Sequence, residues 1–432
     1  MRVEEYCLAR LPTLIDRRKG PMKLAIFLNQ DAMAGGGYYE SLNRISDLQG
    51  EASEVLLYTS NQGVFDLLRN EGKEVYFIKL AIYTRFSLFL RKLTLDLSSR
   101  IIPGNVTPTI LLKKFLMKFN SFERPFKKCG VDLIYFTSPE SNAVYLESTN
   151  YIFAVWDLAH FEIPFFPEIR ENHVFETRES LYRSALPRAY AITVGHSFAK
   201  KTLVRKYHQN PEKIFILPFL PSKLVIEKED KIGAVLPSDL PDGLPPSFVY
   251  YPAQYAAHKN HIMVIDLIGQ AKIKGEGSIG AVFTGADRGN KKFLMHYVKS
   301  LGLETDIIFL DFQPDASVFA LLKSAIALVV PTYIGPGTLP TMEAMYLGTP
   351  IFVLDNWQNR EFYGDAAYYL DRGRLDESVQ TLRQLGDKNM RWECAFKMKQ
   401  RYTKIIEADE TKLLINHVSG FSALAQTHSL GK

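Results

Sequence analysis

A chain of 432 residues, 47% hydrophobic and 23% charged, is long enough for two or three domains with full cores, and too apolar to be wholly disordered. Lys and Arg number 52 against 47 Asp and Glu, a net charge of +5 that does not suggest a nucleic-acid binder. The three cysteines, Cys7, Cys129 and Cys394, lie too far apart for a zinc cluster or redox pair and suggest no disulfide framework, which points to a reducing cytoplasm.

Residues 1–21 mix Glu4, Glu5, Asp16, Arg17 and Arg18 without an apolar core, and read as a disordered extension rather than a signal peptide. The fold is expected to begin at Met22-Lys23. Short apolar runs then recur, at 24–28, 55–58, 133–136, 151–155 and 191–194, with helix-forming segments between them. That is the rhythm of βαβ units and a mostly parallel sheet, assigned to a first domain over 22–222. The prolines and charges of 221–247 break it, so 223–247 is expected to be a linker. The rhythm restarts at 248–251, 281–284, 307–310, 325–330 and 351–354, a second domain over 248–390. Residues 391–432 are expected to supply a C-terminal helix packing back on the first domain. No apolar run approaches the roughly 20 residues that would span a bilayer. The fold class is therefore α/β, two Rossmann-like domains whose parallel sheets face each other across a cleft, with ligands outside the carboxyl ends of the strands.

Three segments carry candidate chemistry. In Pro331 to Pro350, Gly335 and Gly337 precede a helix with Pro340 and Glu343 near its start and Gly348 at its end. Glycines before a helix N-terminus let amides approach an anion, and a carboxylate there suits a ribose diol; an ordinary βα loop fits the spacing as well. In Tyr251 to His261, Lys259 follows a strand and could stabilise a phosphate that gains charge on leaving, or be a solvated lysine at a helix start. His258 and His261 lack a third ligand, so no metal is expected. In Trp156 to His160, Asp157 and His160 could face the cleft, the histidine orienting or deprotonating a sugar hydroxyl or merely bracing its loop.

Together, the run Pro336 to Ala344, the segment Tyr251 to His261, Asp157-Leu-Ala-His160 and Glu361 to Ala367 resemble the retaining, nucleotide-sugar-dependent glycosyltransferases of family four, the glycosyl transferases group one. The resemblance implies the GT-B fold, with the donor held mainly by the second domain. By position, Lys259 would contact the donor diphosphate, and Gln254 would be among the donor-binding residues. Gly337, Thr338 and Leu339 would offer backbone groups, Glu343 would bind the ribose, and Gly36 and Gly37 would approach from the other side. His160, with Asp157, would lie near the transferred sugar, and Ser197 occupies the family's serine position after a strand. Two departures stand out. Position 335 is Gly where the family pattern has Glu, and Gln254 stands in the stretch where an Arg is common.

The implied reaction moves a hexose, GDP-mannose being the first donor to consider, to a growing and lipid-linked surface glycan such as O-antigen, capsule or exopolysaccharide, without a metal or other cofactor. A GT-B epimerase or phosphorylase, and a degenerate glycan-binding subunit, remain alternatives. Between Lys79 and Lys118, eight basic residues meet a single acid, Asp96, amid apolar residues. That composition suits an anionic membrane surface, and equally two helices packed on a sheet. The expected location is cytoplasmic, at the inner face of the plasma membrane.

Overall fold

The computed structural model describes residues 23–30, 36–49, 54–79, 122–231, 235, 237–275 and 279–418. The extension over 1–21, Gly35, and the basic stretch beyond Lys79 lie outside them. No helix among the described residues is long and apolar enough to cross a membrane.

Two parallel sheets organise the chain. The first has seven strands: β1 (Lys23–Phe27), β2 (Glu54–Thr59), β3 (Val75–Phe77), β4 (Leu133–Phe136), β5 (Asn150–Val155), β6 (Ala191–Val194) and β7 (Ile214–Ile216), in the order β3-β2-β1-β4-β5-β6-β7. Its central strands β1, β4 and β5 are apolar beyond their first residues Lys23 and Asn150, because both faces are covered. Along β1, Ala25 and Phe27 enter one core cluster while Leu24, Ile26 and Leu28 enter the other. The second sheet has six strands: β8 (Ser247–Pro252), β9 (Ile279–Thr284), β10 (Ile307–Leu310), β11 (Ala327–Val330), β12 (Ile351–Leu354) and β13 (Tyr368–Leu370), in the order β10-β9-β8-β11-β12-β13. Strand order reverses between β1 and β4 and between β8 and β11, the switch points where such sheets open a crevice at their carboxyl ends.

β3, β7 and β13 were not among the expected strands. Each has three residues and lies at a sheet edge, too short for a hydrophobic pattern to stand out. The expected linker is also not irregular throughout: Lys223–Lys231 is a helix, and Pro237–Asp239 a 3₁₀ turn.

The C-terminal segment comes in two pieces, and the second, helical over 411–418, packs on the first domain as expected. The first piece runs Lys388–Glu407 and buries Cys394 and Met398 in the core of the second domain, against the helix Leu339–Leu347. The return to the first domain comes after it. The Glu410 amide donates to the Ile216 carbonyl at 2.9 Å, its carboxylate accepts from the Ile216 amide at 2.7 Å, and Leu414 and Val418 join the first domain's core. Arg44 pins this crossing. Buried in the helix Gly36–Gln49, it bonds Glu40 at 2.7 Å, the Pro218 carbonyl, and Asp409 at 3.6 Å. A buried guanidinium with fewer partners would cost several kcal/mol, on the order of 3–5.

Candidate active site

The carboxyl ends of both sheets face one cleft of about 410 Å³, within the range of small-molecule sites. Lys259 and Glu343 both line it, as do Gly36, Gly37, Asp157, Gln254, Gly337, Thr338 and Leu339.

The second domain's wall is built around a helix start. Thr338 caps Leu339–Leu347 in extended conformation, and no hydrogen-bond partner of the Thr338 or Leu339 amide is found among the described residues. Gly337 differs: its amide donates to the Tyr363 hydroxyl at 2.9 Å, so it braces the loop rather than opening toward a ligand. Its φ of 74° and the Phe362 ring, which a Cβ would meet at 2.9 Å, both require glycine. Glu343 is buried. Its carboxylate accepts from the Ser222 amide at 3.2 Å, and burial pushes its pKa up to about 7.

Lys259 ends a 3₁₀ turn held from three directions. Tyr251 donates to the Lys259 carbonyl at 2.8 Å, the Tyr333 amide donates to the His258 carbonyl at 3.1 Å, and the His258 amide donates to Glu168 of the first domain at 2.8 Å. Burial lowers the Lys259 ammonium, while Asp157 and Glu168 pull it back up. It is the one ammonium or guanidinium among the described cleft-lining residues, against four carboxylates: Asp157, Glu162, Asp315 and Glu343. Gln254 also lines the cleft, its side-chain oxygen accepting from Arg288 at 3.2 Å. His258 and His261 are separated by function of burial: His258 meets Glu168, while His261 lies wholly buried among Tyr251, Tyr255 and Phe283. No metal-binding group of three occurs among the described residues.

The first domain's wall contains Gly36, Gly37 and Asp157 but not His160 or Ser197. Gly36 and Gly37 begin the helix Gly36–Gln49, aiming a second helix N-terminus at the cleft. A Cβ on Gly37 would lie 2.3 Å from the Trp156 indole, and one on Gly36 would lie 3.1 Å from Leu339 across the cleft. Glycine here thus admits an indole and lets the two domains touch.

His160 is not in the wall. Fully buried, it bonds the Tyr207 hydroxyl at 3.0 Å and packs edge-on to Tyr182, because the short helix Ala159–Glu162 turns His160 inward and Glu162 toward the cleft. Asp157 does line the cleft. Burial raises its carboxyl, but Arg178 at 2.5 Å and the Ala159 amide outweigh that and hold it below the usual range. Ser197 is merely the first helical residue of Ser197–Tyr207; the cap is His196, whose ring accepts from the Ala199 amide at 3.3 Å.

Three cleft residues that sequence reasoning missed are His196, Glu162 and Tyr39. Tyr39 donates to both Asp315 oxygens at 2.7 Å, a bond across the two domains. A tyrosine two positions past a glycine pair and a histidine at a strand end were visible, but nothing in their spacing tied them to a partner far along the chain.

Residues 237–404 match the family model for glycosyl transferases group 1, spanning the second domain and most of the long C-terminal helix. A comparison with curated protein sequences gives no match. Among solved structures, Anabaena HepE in complex with UDP and glucose superposes with a TM-score of 0.60 at 13% identity, over 93% of this chain and 99% of that one. TarM gives 0.63 at 11% identity over 94% and 99%. WaaG, a glycosyltransferase involved in lipopolysaccharide biosynthesis, gives 0.59 at 12% over 92% and 99%. At such identities the structures speak for the fold. With the group 1 match lying over residues 237–404 and this architecture along nearly the whole length, the second domain is similar to the glycosyl transferases group 1 and the chain has the GT-B fold.

Proposed function

We propose that the chain transfers a hexose, with retention of configuration, from a nucleoside-diphosphate sugar to a hydroxyl of a growing, lipid-linked glycan. One observation carries this reading. Lys259, the Thr338 and Leu339 amides at a helix start, and the buried Glu343 carboxylate converge on one cleft. An ammonium and open amides suit a diphosphate, and a carboxylate one turn further on suits a ribose diol. The helix beginning at Gly36 opposes them.

In the reaction, the bond between the anomeric carbon and the phosphate oxygen breaks, and the diphosphate leaves with the electron pair. Lys259 and the helix N-termini neutralise it, so no metal is needed in this scheme. The acceptor oxygen attacks from the face the diphosphate leaves, and its proton passes to the departing phosphate oxygen. Domain contact through Gly36 and Leu339 and through Tyr39 and Asp315 excludes water, which protects the donor from hydrolysis.

GDP-mannose is the first donor to test. The HepE complex with UDP-glucose makes a UDP-sugar the second. A thermal-shift panel of GDP-, UDP-, dTDP- and ADP-sugars tests the reading, since a ligand of the folded state raises the melting temperature. A shift with one nucleotide, lost in K259A and E343A, is expected; no shift with any overturns it. Contact of residues 79–118 with an anionic membrane belongs to the same proposal. Sedimentation with anionic liposomes at low salt tests it, and absence of binding there removes it.

A further inference from the structure

His196 occupies a place that neither the cap it makes nor the phosphate chemistry accounts for. It follows β6, in extended conformation (φ −161°, ψ 163°), and lines the cleft. Its Nδ1 accepts the Ala199 amide at 3.3 Å, so in the neutral ring the hydrogen sits on Nε2. Burial pushes the pKa down to about 4, which keeps the ring neutral under ordinary conditions. The ring is therefore a fixed tautomer with one outward donor.

That donor points at the other domain. A Cβ built on Gly335 would lie 3.2 Å from Nε2 and 3.7 Å from Cε1. Any side chain at position 335 would press on the imidazole's polar edge, and no positive φ explains the glycine there. Gly335 lies in the loop that leads, three residues on, to the open Thr338 amide. With the diphosphate on Lys259 and that helix start, and the ribose on Glu343, the stretch bounded by Gly335, His196 and Glu162 is left for the transferred sugar. Glu162 is an acceptor on the same wall, its carboxyl raised by burial and then by Asp157, and lowered by a hydrogen bond to Gln358 of the second domain.

We propose that His196 positions and helps select the transferred sugar: Nε2–H donates to a sugar hydroxyl, and glycine at position 335 is what leaves room for it. The proposal rests on the nucleotide-sugar reading above and names the residue that reads the sugar rather than the nucleotide. Sugar recognition then comes from a first-domain side chain, which engages only when the two domains meet.

The test compares H196S, H196N and G335A with wild type, using GDP with GDP-mannose and UDP with UDP-glucose in calorimetry, together with melting temperatures. Ser and Asn retain capping ability, so melting should be little changed. G335A retains the imidazole and its cap but crowds Nε2. Nucleoside-diphosphate affinity is expected to stay at the wild-type value in all three, while the extra affinity of the sugar-bearing form falls about 3- to 10-fold, the value of one hydrogen bond. Discrimination between epimeric hexoses should shrink in parallel. Variants that keep the wild-type preference for the sugar-bearing form overturn the proposal and leave His196 a cap. A loss of nucleotide and nucleotide-sugar affinity in equal measure also overturns it. Wild-type protein that binds none of the four ligands and none of the dTDP- and ADP-sugars of the panel above defeats the parent reading, and this proposal with it; where only a dTDP- or ADP-sugar binds, that pair replaces the two above.

Discussion

The two walls of the cleft are built on different principles. The second domain's wall comes from the ends of β8, β9, β10 and β11, but its candidate phosphate and ribose contacts lie on two short stretches, Tyr251 to Lys259 and Gly335 to Glu343, as backbone amides, one ammonium and one buried carboxylate. The first domain's wall comes from three separate strand ends and works through side chains: Trp156 lying on Gly37, Asp157 held by Arg178, and His196 turned toward Gly335. Binding a phosphate asks for generic positive potential, which a helix start supplies wherever it occurs. Binding a particular sugar asks for donors and acceptors at set positions, which must be assembled from distant parts of the chain. On the proposed reading, the groups for the nucleotide sit on two short stretches of sequence, while those for the sugar come from distant ones.

The sharpest way to break this division is at Lys259. K259A is expected to lower turnover at saturating donor by about 10²–10³, the usual loss when a group that stabilises developing charge is removed. Near-normal turnover would take Lys259 out of the reaction. E343A should weaken nucleoside-diphosphate binding by about 1.5–3 kcal/mol, the value of a charged hydrogen bond, measured by calorimetry. Unchanged affinity would count against the ribose role.

The raised Glu343 pKa adds a pH signature. Because it is raised, its favourable contribution to folding is complete below the unfolded value near 4.5 and is lost as pH rises through about 7. In the proposed ribose role nucleotide binding would have the opposite sense, since it is the ionised carboxylate that would accept from both ribose hydroxyls. Affinity should therefore fall on acidification from pH 8 to 6, by up to about tenfold, and E343Q should flatten the profile.

On the opposite wall, G37A tests packing rather than charge. Its Cβ would meet the Trp156 indole at 2.3 Å, and overpacking of this kind costs about 1–3 kcal/mol, visible as a lower melting temperature. Wild-type melting would mean that the indole moves aside freely. The smallest effect belongs to Y39F, which removes the 2.7 Å bond to Asp315. A shift of about 1 kcal/mol toward the open arrangement is expected, read by small-angle scattering with and without nucleotide.

The amino-acid sequence by itself determined the alternation of strands and helices, the two sheets, and the Lys259 and Glu343 segments. These are consequences of local period and local chemistry: apolar runs of four to six residues, glycine and proline around a helix start, a lysine after a strand. Only the tertiary structure decided that His160 turns inward to Tyr207, that Glu162 faces the cleft, that Gly337's amide is spent on Tyr363, and that His196 meets Gly335 across 139 residues of chain. Which way a side chain points at a strand end depends on the next turn of helix and on what the other domain places opposite. Neither is encoded in spacing along the chain, and both follow from setting the carboxyl ends of two sheets around one cleft.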